Sequence, residues 1–552
     1  MFPSLKVCLF TILLGALLRA DAQINAASCN ASDVQTAINT ATEGQTVTVP
    51  AGTCTWTSGV TITGKGITVT GAGSGRIIAY SSSTLTIGTG SKTLTISSSR
   101  VDGTFPLGPS IGQTLTLYET GLPTNFMTGT VTSFSGGSLV MNITSDGGSC
   151  GATSLSNCAR WLIATQPSTT IINNYASDPG LINITEDTSF NTNISGIQIV
   201  TGTGGAHMVN VNYASGGVPV LLHDCWMRYN NSNTAPPSGN QTPVFWQPNR
   251  GVIWNCSFDG TPGPNGLFTS GGISLQDKAS GQQNSWTTIS KMGSLDTTGT
   301  RKLYVETNDF HALTFAMSTD DNGRLAARYN LIDNSQAFGT HGADSSDYGQ
   351  RYFEFYNNTL SFNGYRDGTT FNLANGWFWL RGGTAVIYNN TIPALSSTDY
   401  GNKPDLAMTV FNLQDNTGPN PCWGSGSSHT EGEYQQAPRQ VGFGYVTGTG
   451  TANYPFSPEN CKNCTNDSIT YVGDSEPLYV WGNSRQPLGN VSITDGGGSC
   501  TNPDSSANYI VSGRDYFNGS TAKPGYSVYQ YPHPLTQGTA PAPPTGLSAS
   551  VQ

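Results

Sequence analysis

The chain has 552 residues, 36% of them hydrophobic and 10% aromatic. This is enough apolar material for one large core or two ordinary ones, which excludes a disordered or collagen-like chain. Only 11% of the residues are charged, so a coiled coil or a predominantly helical protein is excluded as well. The net charge of −10, without any run of basic residues, argues against a nucleic-acid partner because phosphate binding requires clustered positive charge.

Residues 1–22 have the three parts of a secretory signal peptide. Lys6 supplies a positive start, the apolar run VCLFTILLGALL follows, and Ala20-Asp21-Ala22 has the small-residue pattern of a cleavage site. A membrane anchor is the alternative, but the apolar run is short for a bilayer span, and no later stretch is apolar enough to cross a membrane. We therefore expect a secreted protein, with the cell surface and the periplasm as alternative locations.

Ten cysteines remain once Cys8 leaves with the signal peptide, and an even number in an exported protein predicts disulfides. Cys461-x-x-Cys464 also resembles half of a zinc or redox motif. The sequence has no second motif of this kind and no run of histidines nearby, so a disulfide-tied loop is favoured. The predicted disulfide cysteines are Cys29, Cys54, Cys150, Cys158, Cys225, Cys256, Cys422, Cys461, Cys464 and Cys500.

One helix is predicted near the mature N-terminus, and short strands follow it. In SDVQTAINTA, Ser32 is a candidate N-cap, and Val34, Ile38 and Ala41 form one apolar stripe. The next stretch, GQTVTVPAGTCTWTSGVTITGKGITVTGAGSG, alternates apolar and polar residues between glycine turns, which is typical of short strands.

A loose repeat with a period of about 20–30 residues then recurs along the chain. VLLHDCWM, GVIWNCSF, FEFYNNTL and AVIYNNTI share a run of strand formers followed by Asn or Asp, a polar residue and an apolar one. The pattern predicts an all-β, single-stranded right-handed parallel β-helix with an N-terminal capping helix, in which asparagines stack as a ladder at one corner of each coil. The predicted ladder residues are Asn255, Asn308, Asn330, Asn357 and Asn389.

Aligning two of these repeats predicts one disulfide, and the capping helix suggests another. VLLHDCWM and GVIWNCSF place Cys225 directly beneath Cys256, so we expect a disulfide between adjacent coils. A Cys29–Cys54 disulfide would hold the helix across the open end of the stack, where it hides an exposed strand edge.

The order of an amphipathic helix, GQTVTVPAGTCTW, VTITGKGITVTGAG and NNT-bearing coils resembles the pectin-lyase-like superfamily of secreted β-helix proteins. The resemblance spans most of residues 25–535 and implies the fold; the superfamily includes lyases, hydrolases, esterases, adhesins and phage tailspikes. THGADSSDYGQRYFEFYNNTL, LRGGTAVIYNNTI and GRDYFNGSTAKPGYSVYQYPHPL resemble uncharacterised bacterial exported β-helix proteins.

The expected organisation is a signal peptide at 1–22, one β-helix domain at 23–535 and a Pro-rich C-terminal tail at 536–552. Residues 400–475 contain Pro, Gly, three cysteines and few strand runs, so we expect a loop-rich insertion there.

Charged residues are concentrated between positions 301 and 381, where acid–base chemistry is therefore most plausible in this charge-poor chain. Four clusters, TNDFH, STDDNGR, THGADSSD and YRDG, recur at near-coil spacing, which would bring them to one face of the stack. The candidate catalytic residues are Asp320, Asp321, His341, Asp344 and Arg366, and the candidate substrate-binding residues are His311, Arg324, Tyr365, Asp367, Trp379 and Arg381.

Such a set suits either of two reactions on a uronic-acid polysaccharide. A hydrolase needs one carboxyl to protonate the leaving oxygen and another to activate water. A lyase needs a cation to neutralise the sugar carboxylate and a base to remove the neighbouring proton.

Adjacent Asp320 and Asp321 would also suit Ca²⁺, although no cofactor is established by the sequence. STDD and THG are similar to the DD and GHG segments of polygalacturonases, which implies paired carboxylates at Asp320 and Asp321 and a groove histidine at His341.

Structural roles compete with these functional ones. The Asp320-Asp321-Asn322-Gly323 segment is a good turn sequence, and Asp367 is a plausible surface partner of Arg366 or Arg381. The alternation in WFWL places one face in the core and leaves the other outside, so Trp379 suits either packing or sugar stacking.

We expect a monomeric polysaccharide-active protein, with a lyase ahead of a hydrolase. A non-catalytic polysaccharide-binding or adhesive protein, or a structural component of an extracellular matrix or fibre, is the alternative.

Overall fold

The computed structural model describes most of the chain between residues 23 and 537. The described residues are 23–96, 109–119, 122–151, 158–159, 161–177, 179–204, 207–229, 242–260, 271–277, 292–320, 323–340, 350–362, 376–380, 383–395, 406–411, 445–447, 470–472, 476–494 and 512–537. The proposed signal peptide and the tail after residue 537 lie outside them.

Three long parallel sheets, here called sheets A, B and C, carry most of the described strands. Sheet A contains Ile24–Asn25, Thr46–Val49, Thr68–Gly71, Asn193–Ser195, Leu221–His223, Gly251–Trp254, Leu303–Glu306, Arg324–Arg328, Tyr352–Tyr356, Thr384–Tyr388, Leu478–Trp481 and Tyr516–Asn518. Sheet B contains Gly52–Trp56, Thr169–Asn173, Gln198–Thr201, Trp226–Arg228, Ser257–Asp259, Asp309–His311, Leu331–Asp333 and Thr359–Ser361. Sheet C contains Val60–Ile62, Ile182–Thr185, Val209–Asn212, Val244–Trp246, Ile273–Gln276, Phe315–Asp320, Gln336–Thr340, Phe378–Leu380, Leu406–Phe411 and Asn490–Thr494.

The chain visits sheets A, B and C in turn, so each circuit forms one coil and the coils stack. Alternate side chains of each strand face inward, as the period of two requires. Inward positions in successive coils therefore form columns, such as Val244, Ile273, Met317 and Phe338 in sheet C, all of them buried. The predicted parallel β-helix is confirmed.

The short turn from sheet A to sheet B has the same conformation in successive coils. Its first residue lies in the left-handed region, with φ of 53° at Asn255, 55° at Asn357 and 53° at Asn389. Asn and Asp tolerate this region better than other residues with a side chain because they bond locally to the backbone.

The asparagine ladder occupies the next position of this turn. Each side chain there donates to the ladder asparagine of the following coil, for example Asn330 Nδ2 to Asn358 Oδ1 at 2.9 Å. The ladder residues are Asn308, Asn330, Asn358, Asn390 and Asn483. The prediction was therefore correct for Asn308 and Asn330 but one residue early at Asn357 and Asn389, and Asn255 likewise precedes the ladder position.

Cys225 and Cys256 extend the ladder column and are free thiols, so the predicted disulfide between them is absent. Their alignment is as predicted, because Leu222 pairs with Ile253 and Trp226 with Ser257 on either side. Each donates to a carbonyl of the preceding coil, as the ladder asparagines do: Cys256 Sγ lies 3.8 Å from the Leu222 oxygen, and Asn308 Nδ2 lies 2.9 Å from the Ile253 oxygen.

The helix Ala31–Thr40 closes the N-terminal end of the stack, as predicted. Its apolar stripe, Val34, Ala37 and Ile38, is buried against the first coils. The predicted Cys29–Cys54 disulfide is present and joins the residues just before the helix to sheet B.

An antiparallel sheet that the sequence did not reveal is inserted within one coil, between the sheet A strand Thr68–Gly71 and the sheet B strand Thr169–Asn173. Its strands are Ile77–Ser81, Gly90–Thr95, Thr114–Glu119, Leu122–Ser135, Ser138–Gly147 and Trp161–Thr165. It has a core of its own and contains the Cys150–Cys158 disulfide. Because its strands alternate apolar and polar residues like those of the coils, periodicity could not distinguish them, and only the pairing partners do.

The stretch 400–475, expected to be an insertion, still contributes Leu406–Phe411 to sheet C. Tyr445–Thr447 and Thr470–Val472 form a separate antiparallel pair. Cys422, Cys461, Cys464 and Cys500 lie outside the described residues. Within the described ranges, no helix has the length and apolar character that a membrane span requires.

The segment Lys523–Gln537, here called the strap, runs back along the outer face of sheet A. Tyr526 donates to Glu354, the carbonyl oxygens of Tyr529 and Gln530 accept from Arg328, and the His533 backbone N–H donates to Glu306. The strap contains the 3₁₀ turn Pro534–Thr536 and packs on a second 3₁₀ turn, Gly293–Leu295, through a bond from the Ser294 N–H to the Ser527 carbonyl.

Candidate functional site

The outer faces of the three parallel sheets differ in what covers them. The inserted sheet packs on sheet B, where Ile77, Tyr80 and Leu162 form one cluster with Trp226 and Leu331. The strap covers the middle of sheet A. Sheet C keeps partly exposed aromatic side chains at both ends of one row on its outer face, and neither the strap nor the inserted sheet packs on it among the described residues, which makes it a candidate for contact with a ligand.

The strand register aligns the outward positions of sheet C in one row along the stack. In order, the row contains Asn183, Asn210, Phe245, Ser274, Ser318, Gly339 and Trp379. Phe245 and Trp379 lie four coils apart, which is about 19 Å at the usual spacing of about 4.8 Å. The three positions between them, Ser274, Ser318 and Gly339, carry small residues and are buried, so the partly exposed groups of the row lie at its two aromatic ends; this row is here called the sheet C trough.

Each end of the trough has a pair of rings. At one end the His207 ring stacks on Phe245 with centroids 5.0 Å apart and planes 20° apart. At the other end Phe315 lies 6.0 Å from Trp379 at 27°. Gly339 is required here, because a Cβ at this position would lie 2.6 Å from the Phe315 ring. Planar apolar rings of this kind, partly exposed, are suited to stacking against a flat apolar ligand surface.

An amide cluster continues the row beyond Phe245. Asn210 Nδ2 donates to Asn183 Oδ1 at 2.8 Å, and Asn212 Nδ2 donates to the same oxygen at 2.7 Å. Amides and hydroxyls therefore supply the polar groups of this face, and the described residues of the row carry no charge.

Charged side chains lie instead where the sheet C strands end, and they are engaged with one another. Arg250 binds the Glu186 carboxylate through two nitrogens, each at 2.5 Å. Burial raises the pKa of Glu186, an effect that the Arg250 guanidinium and the Ala214 N–H partly offset. Asn249 Nδ2 donates to Asp277 at 2.5 Å, and its oxygen accepts the Arg324 N–H at 2.7 Å. These contacts fix the turns that lead from sheet C to sheet A.

The structure brings few of the predicted site residues together. Trp379 faces outward at one end of the trough, while Trp377, Phe378 and Leu380 are buried, so the WFWL segment has one partly exposed ring. Asp320 ends the sheet C strand Phe315–Asp320, where its backbone pairs with Gln276, and its side chain is not described. The predicted residues that lie outside the described part are Asp321, His341, Asp344, Tyr365, Arg366, Asp367 and Arg381.

Two predicted substrate-binding residues lie elsewhere. His311 is on sheet B, only 1% exposed, where it stacks on Tyr80 of the inserted sheet and bonds to Asp333 at 2.9 Å. The expectation that it lines an open groove is therefore wrong, because the inserted sheet covers it. Arg324 begins a strand of sheet A, beyond the end of the sheet C strand that contains Phe315. No cluster of three or more potential metal ligands occurs among the residues that the structure describes.

Sequence reasoning missed His207, Phe245, Ser274 and Phe315. They lie in four different coils, and each is unremarkable in its own segment. Aligning the strands of sheet C would have placed Phe245 and Trp379 in one row, but the loops between these strands vary too much in length for a fixed period to show it.

No protein-family model and no curated protein matches the sequence. Among solved structures, an alginate lyase from Paenibacillus sp. str. FPU-7 is similar at 12% identity over 86% of this chain and 98% of the other, with a TM-score of 0.26. A glycoside hydrolase is similar at 9% identity over 65% and 86% of the two chains, with a TM-score of 0.23. The tailspike protein gp49 from Pseudomonas phage LKA1 is similar at 11% identity over 66% and 74%, with a TM-score of 0.14. At these values the comparisons establish neither a family nor an activity.

Proposed function

We propose that this protein is an exported polysaccharide-binding β-helix protein and that a glycan chain lies along the sheet C trough. The observation that carries the proposal is the pair of partly exposed ring stacks at the two ends of one row on sheet C, with an amide cluster beyond one of them, on a face where neither the strap nor the inserted sheet packs among the described residues. The two disulfides support export, because disulfides persist in oxidising compartments.

The trough has the chemistry that a sugar chain requires. Pyranose rings present flat C–H faces that stack on aromatic rings, and they present hydroxyls at their edges that bond to amides and hydroxyls. The ring pairs at His207–Phe245 and Phe315–Trp379 would hold two sugars.

A lyase acting on an acidic polysaccharide remains our preferred reaction, followed by a hydrolase, and this preference rests on the sequence candidates Asp320, Asp321, His341 and Arg366. Ca²⁺ at Asp320 and Asp321 is part of the same proposal. A non-catalytic binding protein is the second candidate, and the uncharged described row favours it because both reactions need charged groups at the cleaved bond.

Replacing Trp379 tests the proposed surface. We expect Trp379→Ala to weaken glycan binding about fivefold and Trp379→Phe to retain most of it, since one aromatic contact is worth about 1 kcal/mol. Binding would be measured by affinity electrophoresis and calorimetry with alginate, polygalacturonate, xylan and laminarin, after thermal unfolding has shown that each variant folds.

Phe190→Ala is the matched control, because Phe190 is 45% exposed but lies outside the sheet C row, in the turn from sheet C to sheet A next to Gly44 and Gly66. Equal losses in the Phe190 and Trp379 variants, or no binding to any glycan, would contradict the proposal.

The reaction is tested separately on the same glycans. Absorbance of an unsaturated sugar would identify a lyase, and new reducing ends without that absorbance would identify a hydrolase. Binding without either product would identify the non-catalytic alternative.

A further inference from the structure

Lys302 and Glu354 form a buried pair on the outer face of sheet A. Their side chains are 0% and 1% exposed, and Lys302 Nζ contacts Glu354 Oε1 directly. The strand register aligns Tyr304, Ala326 and Glu354 in one row through three successive coils, so Lys302, two residues before Tyr304, reaches Glu354 across the middle coil. The fold therefore holds an amine against a carboxyl at a position that solvent does not reach.

The second carboxylate oxygen of Glu354 is held by two hydrogen-bond donors. Oε2 accepts the Gly293 N–H at 2.9 Å and the Tyr526 hydroxyl at 2.7 Å. Donors placed in this way stabilise the negative charge that develops on a carbonyl oxygen when a nucleophile attacks its carbon. Oε1, which contacts the amine, is then the oxygen that can take up protons and leave.

The surroundings of Lys302 favour the uncharged form of its amine. Burial lowers the pKa of Lys302, an effect that the Glu354 carboxylate partly offsets. The Tyr304 and Tyr352 rings enclose the amine, with their centres 5.6 and 5.5 Å from Nζ. A desolvated lysine that gives up its proton becomes a nucleophile, and the exclusion of water protects the product from hydrolysis.

We propose that Lys302 and Glu354 condense to an intramolecular amide bond in the folded protein. Nζ forms a bond to Cδ of Glu354, the bond from Cδ to Oε1 breaks, and two of the three ammonium protons leave with Oε1 as water. An ammonium and a carboxylate together contain every atom of one amide and one water, so the step needs no oxidant, reductant or co-reactant. The bond goes beyond the proposed function and does not depend on glycan binding.

The amide bond fastens two coils that are not neighbours in the stack. It joins Lys302, at the start of the strand Leu303–Glu306, to the strand Tyr352–Tyr356 two coils further on, across a sequence separation of 52. It also replaces two buried charges, which are costly to keep from water, by one neutral group. Because Tyr526 belongs to the strap, the bond forms after the strap has docked.

Mass spectrometry of the full-length protein tests the inference. After reduction of the disulfides and denaturation, the wild type is expected to be about 18 Da lighter than its sequence requires, which is the mass of one water. Trypsin does not cleave after an acylated lysine, so it should release a branched peptide that joins residues 302–324 to residues 352–366.

The wild type also contains a matched control pair. Lys523 Nζ lies 3.2 Å from Glu476 on the same face, but these side chains are 16% and 18% exposed, so water competes for both. Their peptides should be recovered separately. Arg328 and Glu306 should stay unjoined as well, because a guanidinium remains charged and does not attack a carboxyl.

Two variants connect the mass loss to this site, once thermal unfolding has shown that each folds. Lys302→Met has no amine and should have the full mass of its sequence. Tyr526→Phe keeps the ring but removes one donor to Oε2, so part of its chains should remain unjoined.

A wild type of full mass that trypsin cleaves after Lys302 would overturn the inference and identify an ordinary ion pair. A loss of one water that persists in Lys302→Met would assign the reaction to another site, which overturns the inference too. Complete reaction in Tyr526→Phe would refute the role of the strap hydroxyl.

Discussion

Asn358 lies at the middle of the asparagine ladder and shows what one residue contributes to the stack. Its Nδ2 donates to the carbonyl oxygens of Ala327 and Tyr356 and to Asn390 Oδ1, and its own Oδ1 accepts from the backbone and side chain of Asn330. It is fully buried, so water cannot replace the hydrogen bonds that its partners would lose. Asn357, directly before it, contributes its left-handed backbone conformation instead.

We expect Asn358→Ala to lower the free energy of unfolding by about 3 kcal/mol, because several buried partners lose their hydrogen bonds at about 1 kcal/mol each. Asn357→Gly is the control and should change it by less than about 1 kcal/mol, since glycine adopts a positive φ without strain. Denaturant titration measures both. Equal effects of the two substitutions would show that the ladder is not the stabilising feature of this turn.

The strap is the element that ties successive coils together along sheet A. It covers two buried ion pairs on that face, Lys302 with Glu354 and Arg328 with Glu306. Burial lowers the pKa of Lys302, an effect that Glu354 partly offsets. The Tyr526 hydroxyl donates one of the hydrogen bonds that the Glu354 carboxylate accepts. The strap therefore supplies a polar partner that this buried charge needs.

His533 makes docking of the strap dependent on pH. Burial lowers its pKa to about 4, and its Nδ1 accepts the Leu535 N–H, which a proton on that nitrogen would displace. The ordinary pKa of histidine is about 6.5, so below that value the unfolded chain binds a proton that the folded chain does not. Stability therefore falls as the pH decreases from about 6.5 towards about 4.

We expect the wild type to lose about 2 kcal/mol of unfolding free energy between about pH 7 and about pH 5 through His533, and His533→Gln to lose correspondingly less. Denaturant titrations at the two pH values measure the difference. The nearby Asp296, Glu306 and Arg328 are unchanged in the variant, so a fall of the same size in both proteins would assign the acid sensitivity to other groups.

At the scale of the whole molecule, the described part of the stack is closed at its N-terminal end, and parts of sheets A and B are covered. The helix Ala31–Thr40 and the Cys29–Cys54 disulfide close the end, the inserted sheet covers part of sheet B, and the strap covers part of sheet A. Arg228 joins the inserted sheet to the coils, with its guanidinium 4.1 Å from the centre of the Tyr118 ring.

Removing the Cys29–Cys54 disulfide by replacing both residues with alanine should lower the free energy of unfolding by about 3 kcal/mol, because the bond closes a loop of 25 residues. The matched control replaces Cys150 and Cys158, whose loop of 8 residues lies within the inserted sheet. Denaturant titration measures the free energy of unfolding of both variants, and hydrogen exchange locates the change. Without Cys29–Cys54 the amides of the first coils should lose protection, and without Cys150–Cys158 those of the inserted sheet should. Loss of protection in the same region for both pairs would contradict this assignment.

The sequence by itself determined the repeated winding of the chain, the N-terminal helix and the Cys29–Cys54 disulfide. Each of these features depends on short segments that recur along the chain or lie next to one another in it. The alternation of apolar and polar residues, the turn residues and the spacing of the segments were therefore sufficient to predict it. It predicted an asparagine ladder but not its register, because in Asn357-Asn358 and Asn389-Asn390 either residue suits either role until the backbone conformation is known.

Tertiary structure alone decided what covers each face of the described stack. The inserted sheet covers His311, the strap covers sheet A, and the sheet C trough assembles residues between positions 207 and 379 from separate coils. These outcomes depend on which strands pair and which segments fold back over a face. Such contacts join residues far apart in the chain, and no local pattern specifies them.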